Sequence, residues 1–168
     1  MSPHAYRHLV LFAAVPFVPL LLLAAGPSGH MTRVAGTYTM TYSQRHPIPV
    51  SDADGHMLLA TEATGANRST GPSPFEDGAQ VTIVESADIT QGNGVHQGYV
   101  VASANGAVRV TRWTGKLTTV VGPDRQPATS FKGTWISVKG PAGRGTYEGR
   151  ITGADTYTVE WAGELDVK

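Results

Sequence analysis

Thr156-Tyr-Thr-Val-Glu-Trp-Ala-Gly-Glu-Leu-Asp-Val167 alternates side-chain character along its whole length. Successive residues of a β-strand point to opposite faces, so residues two apart share one. Thr158, Glu160, Glu164 and Asp166 therefore fall on one side, with Tyr157, Val159, Trp161, Gly163 and Leu165 on the other. The first set carries the charges and must meet solvent. The ring-and-glycine face points inward.

The triplet Trp161-Ala-Gly163 in this strand is one of four. Trp113-Thr-Gly115, Phe131-Lys-Gly133 and Tyr147-Glu-Gly149 repeat the same aromatic-x-glycine pattern in earlier runs. Each sets a bulky and an empty position side by side on one face. Glycine inside a strand marks a bend, a bulge or a close approach. Repeated on successive strands, it predicts a sheet curled tightly enough to close, with rings filling the space that glycines leave.

Further runs extend the pattern towards the N-terminus. Val34, Gly36, Tyr38, Met40 and Tyr42 alternate with small polar residues as a half-buried strand. Segments 44–55 read as a connection, because Pro47 and Pro49 exclude a central strand. A second strand is expected over 56–64, and 65–78, rich in Gly, Pro, Ser and Thr, as the longest loop. Strands follow at 79–88, 95–104, 107–121, 129–139, 145–152 and 156–167, with Asn105-Gly106 a strong two-residue hairpin signal. About eight strands joined mainly by hairpins predict an all-β, eight-stranded antiparallel up-and-down barrel. A two-sheet β-sandwich is the alternative. Such a barrel is filled by its own side chains or holds one small ligand.

Composition supports an all-β chain and narrows its partners. Among 168 residues there are 20 Gly and 11 Pro, and only 15% are charged, a turn-rich profile unlike that of a helical protein. Lys plus Arg and Asp plus Glu both total 13, so no net field attracts nucleic acid. With no cysteine, disulfides, thiolate catalysis and Cys-based metal sites are excluded.

The N-terminus predicts export. Met1 to His8 carries Arg7 and no acid, Leu9 to Leu23 is apolar with Pro16 and Pro19 inside it, and Ala24-Ala25-Gly26 follows. That order matches a secretory signal peptide over 1–29, with the barrel domain over 30–168. Pro27 leaves the cleavage point open. The expected location is secreted or periplasmic. Anchoring by an uncleaved N-terminal segment is the alternative, although the run is short and proline-broken for a span of about 20 residues.

Gly143-Arg-Gly-Thr-Tyr-Glu-Gly149, with Phe131-Lys-Gly-Thr-Trp135 before it and Trp161-Ala-Gly-Glu-Leu165 after it, resembles the C-terminal strands of the allene oxide cyclase-like barrels. The related dirigent proteins share a Gly-x-Gly-x-aromatic segment of this kind. The resemblance covers the last third of the chain. It implies an eight-stranded barrel whose hydrophobic cavity binds lipid-like or phenolic small molecules. The plant cyclases carry a cysteine and a glutamate in the cavity, and this chain has no cysteine, so no catalytic residue is carried over.

Glu85 stands out among candidate functional residues. It shares the face of Val81 and Ile83, so it is expected inside. A carboxylate in an apolar cavity can act as acid or base, or bind a ligand hydroxyl or amine. A bulge turning it outward, or neutralisation by Arg109 or Arg112, is the structural alternative. Glu62 is a weaker candidate. Tyr38, Tyr42, Tyr99, Trp113, Trp135, Tyr147 and Trp161 are expected either to line a ligand pocket or to fill the core. His46, His56 and His96 lack the close spacing of a metal site and read as scattered loop histidines. Asn67-Arg-Ser69 is a glycosylation sequon expected in the long loop.

The function expected from these residues is binding of a small hydrophobic or phenolic molecule inside the barrel, without metal or cofactor. The alternative is an isomerase or cyclase acting on an unsaturated lipid-like substrate through Glu85. Nothing in the sequence decides whether the chain is an enzyme, and self-association is left open.

Overall fold

The computed structural model describes residues 30–123 and 125–166. Residues 1–29, where a signal peptide is expected, lie outside the described residues. Eight strands run in chain order: β1 Met31–Pro49, β2 His56–Ser69, β3 Gln80–Thr90, β4 Asn93–Ala104, β5 Ala107–Val121, β6 Pro127–Lys139, β7 Gly143–Ile151 and β8 Thr156–Asp166. Each pairs antiparallel with its neighbour, and β8 returns to β1, giving a closed up-and-down barrel. No helix among the described residues is long and apolar enough to cross a membrane.

The rings seat on glycines of neighbouring strands, a finer arrangement than the triplets alone imply. Gly36 pairs with Trp161, Gly98 with Trp113, Trp135 with Gly145, Phe131 with Gly149, and Gly133 with Tyr147. A Cβ at Gly36 would meet the Trp161 ring at 2.7 Å, and one at Gly145 would meet Trp135 at 2.6 Å. The sheet can curl because each bulky ring lies across a gap in the next strand. The resulting core includes Val34, Met40, Val81, Trp135, Trp161 and Leu165, all nearly inaccessible.

Two expectations need correction. β1 continues through Pro47 and Pro49 to pair with Leu59 and Met57. From Gln44 onward it pairs with β2 alone, because its ladder with β8 stops at Thr41 and a bulge intervenes at Ser43. The prolines therefore sit on an edge, where a missing N–H costs no ladder bond. Likewise β2 runs to Ser69, so the long loop shrinks to 70–79.

That loop folds into the lower end of the barrel, the end where β2 finishes and β3 begins. Asn67 is not in a loop; it is 3% exposed inside β2. Its Nδ2 donates to the Glu76 carbonyl at 2.8 Å, and its Oδ1 accepts from Trp161 Nε1 at 3.0 Å. Buried in this way, the sequon asparagine offers no folded-state site for a glycan.

Candidate functional site

The upper half of the interior holds a chain of polar groups among rings. β3 points Val81, Ile83, Glu85 and Ala87 inward, and β4 does the same with His96, Val100 and Ala102. His96 Nδ1 lies 2.7 Å from Glu85 Oε1, and its Nε2 lies 3.1 Å from the Tyr147 hydroxyl. Thr61 donates to Glu85 Oε2 at 3.2 Å. Nδ1 thus faces a carboxylate oxygen and Nε2 faces a hydroxyl, so both ring nitrogens are engaged. The His96 ring is packed edge-on against Trp113 and Phe131, at 4.6 and 5.6 Å between centroids.

A cavity of about 50 Å³ opens beside this chain. On a scale where roughly 10–15 Å³ admits one water, it has room for a few waters or a small planar group. Glu85, His96, Trp113, Phe131, Tyr147 and Tyr157 border its upper part, and it reaches down to Arg109. Tyr42 and Tyr157 lie tilted against one another at the upper mouth, 4.8 Å between ring centroids. Arg45 lies over Tyr42 at 3.9 Å and donates to the Ala154 carbonyl at 2.6 Å, pinning the β7–β8 turn there.

The cavity keeps its tyrosines protonated. Burial, then the Glu85 carboxylate, push the Tyr42 hydroxyl up to about 12, with Arg45 opposing. Burial and Glu85 raise Tyr147 further. Burial, followed by Tyr42 and Glu85, does the same for Tyr157. All three remain hydroxyl donors at neutral pH.

A second polar cluster closes the lower half. Arg109, 4% exposed, donates from Nε and Nη2 to the two carboxylate oxygens of Glu76, each at 2.8 Å. Its Nη1 donates to Thr111 Oγ1 at 2.6 Å, and Nη2 reaches the Tyr38 hydroxyl at 3.4 Å. The guanidinium sits over Phe75, Trp135 and Trp161, 5.6–5.9 Å from their ring centres. Loop 70–79 supplies Glu76 and Phe75, so Arg109 is the clasp that holds the plug.

The candidates divide cleanly by strand parity. Glu85, Tyr38, Tyr42, Trp113, Trp135, Tyr147 and Trp161 all border the cavity. Tyr99 does not: it is 46% exposed on the outer face. Gly98 sits inside opposite Trp113, which forces its neighbour outward. Glu62 also lies on the outer side of β2, between inward Thr61 and Ala63. Neither expected arginine neutralises Glu85, since Arg109 is committed to Glu76 and Arg112 is exposed.

His96 is the main residue that sequence reasoning missed. His96-Gln-Gly98 is the same ring-x-glycine pattern as the four aromatic triplets, with imidazole as the ring. Reading it that way would have placed His96 inside. Tyr157 was visible on the inward face of the last strand, yet was not counted as a pocket residue. His56 is held at the upper rim between Asp52 and Asp88, and its Nε2 lies 2.9 Å from Asp88. Among the described residues no group of His, Cys, Asp and Glu has the arrangement of a metal site.

No protein-family model matches the chain, and no curated protein matches it.

Proposed function

We propose that the protein is an exported β-barrel that binds a small apolar or phenolic molecule in its interior, in the manner of the allene oxide cyclase-like barrels it resembles. The observation that carries this reading is the ring-lined cavity with the Glu85 carboxylate at its edge. Ligand pockets are mostly apolar with a few placed polar groups, and this one has that composition. At about 50 Å³, against the roughly 150 Å³ of a cavity that holds benzene, it excludes a long lipid and takes a single ring only as the bordering side chains yield. Titrating the barrel with substituted phenols and alkylbenzenes should quench tryptophan emission saturably, because Trp113, Trp135 and Trp161 all border the cavity. A flat response across that series, from a protein with native circular dichroism, overturns the reading.

The hydrogen-bonded order Thr61–Glu85–His96–Tyr147 favours a second reading, an isomerase or cyclase acting on an unsaturated substrate. Glu85 would move a proton between substrate carbons while His96 orients the carboxylate. Glu85→Gln should then abolish turnover while ligand binding and folding persist. Export predicts that protein recovered from the producing cell lacks residues up to the Ala24–Ser28 region.

A further inference from the structure

Buried indole N–H and tyrosine O–H groups almost always find a partner, so an orphan is a pointer. Among the described residues, four buried side-chain polar atoms lack a protein partner: Trp113 Nε1, Tyr157 Oη, Ser137 Oγ and Asp166 Oδ1. Ser137 and Asp166 lie near the lower ends of β6 and β8, outside the cavity lining. Trp113 and Tyr157 both border the cavity, and they are 7% and 3% exposed.

Their placement is complementary. Glu85, Gly98 and Trp113 form one inward row across β3, β4 and β5, and the indole lies over the gap at Gly98. β8, which carries Tyr157, stands on the opposite wall from β4 in the eight-strand ring. An indole nitrogen can only donate, and Tyr157 keeps its proton far above neutral pH. The groups awaiting a partner in this apolar space are therefore donors, and what completes them is an acceptor. Glu85 uses one bond per oxygen on His96 and Thr61, leaving lone pairs for a ligand donor.

We infer that the ligand is a single-ring or similarly small unsaturated carbonyl compound bearing a hydroxyl, its carbonyl oxygen accepting from Trp113 or Tyr157 and its hydroxyl donating to Glu85. This rests on the cavity-binding reading above and narrows it to one chemical class. A site with committed donors discriminates strongly against an analogue lacking the matching acceptor.

Calorimetric titration with para-hydroxyacetophenone, para-ethylphenol and acetophenone tests the assignment. The first should bind at least tenfold more tightly than para-ethylphenol, which keeps the ring and hydroxyl but lacks the carbonyl. It should also outbind acetophenone, which lacks the hydroxyl. Tyr157→Phe or Trp113→Phe should shrink the affinity ratio between para-hydroxyacetophenone and para-ethylphenol towards one, whatever either does to the absolute affinities, with thermal melts reporting that each variant is folded. Equal affinity for para-hydroxyacetophenone and para-ethylphenol in the unaltered protein overturns the carbonyl assignment and leaves cavity binding standing. No binding by any of the three overturns both.

Discussion

The two halves of the barrel interior use polar groups in opposite ways. Below, Arg109 meets Glu76 through two 2.8 Å bonds, Thr111 and Tyr38 take further donors, and Asn67 bonds at both ends of its amide. Above, Glu85 and His96 form one ordered chain, yet Trp113 Nε1 and Tyr157 Oη beside it have no protein partner. Satisfied buried networks rigidify a core, whereas incompletely satisfied ones carry a standing cost. The lower cluster thus secures the fold, although Ser137 Oγ near the lower end of β6 also lacks a protein partner, and the upper half keeps bonding capacity in reserve beside the cavity.

The sharpest way to break this contrast is at the clasp. Arg109→Met leaves the Glu76 carboxylate buried without its ion partner, and loss of one member of a buried pair costs about 3–5 kcal/mol. Urea unfolding should show that loss, and adding Glu76→Leu should recover most of it. A loss under about 1 kcal/mol would mean that the plug does not secure the barrel.

Alkaline titration comes next in size. Burial pushes the Tyr38 hydroxyl up to about 12, against the pull of Arg109. Below about pH 10 both folded and unfolded chains keep this proton; above it the unfolded chain ionises first, so stability falls as pH rises towards 12. Two units correspond to about 3 kcal/mol, and Tyr147 and Tyr157 act in the same direction. In a Tyr99→Phe variant, tyrosinate absorbance from Tyr38, Tyr147 and Tyr157 should rise in one cooperative step coincident with unfolding. Separate steps for the two halves would show that they open independently.

Much of the lower–upper contrast was beyond sequence reading. The period of two identified the strands, the closed barrel and the inward face of β8, because alternation is a local property of each run. The four ring-x-glycine triplets anticipated curvature, but which glycine receives which ring depends on register. Pro47 and Pro49 argued against a strand that exists because β8 stops short and leaves an edge. His96 falls inside the expected strand 95–104, but its place near the strand end and the lack of metal-site spacing with His46 and His56 give it the reading of a loop histidine. The Arg109–Glu76 pair joins residues 33 apart through a loop fold that no spacing announces.

A smaller effect is expected above. Glu85→Gln preserves the size of the side chain and an oxygen for Thr61 but turns its amide nitrogen towards His96 Nδ1, so its cost in urea unfolding should be about 1.5–3 kcal/mol, below that of Arg109→Met. A cost equal to that of Arg109→Met would erase the distinction between the halves.

The least effect belongs to the upper rim. Hydrogen bonds donated to Asp52, then Asp88, hold the His56 imidazole above its ordinary range, and the same contact with His56 keeps Asp52 below its own. The rim clamp is at full strength between those two titrations. It loosens as pH rises through the raised histidine value or falls through the lowered carboxylate value. Proton NMR should find the His56 midpoint above 6.5, and Asp52→Asn should bring it down; an unmoved midpoint removes Asp52 from the clamp.

Seven of the eight strand pairings join consecutive strands, whereas β1 meets β8 across the length of the domain, with Met31 opposite Asp166. The hairpins can form one after another with short loop closures, but this seam must wait until all eight strands exist. Until it zips, β1 and β8 present two bare edges able to capture another chain. Assembly therefore has a single late, exposed moment, and the charged outer row of Arg33 and Glu164 along that seam stands where edge-to-edge mispairing would otherwise begin.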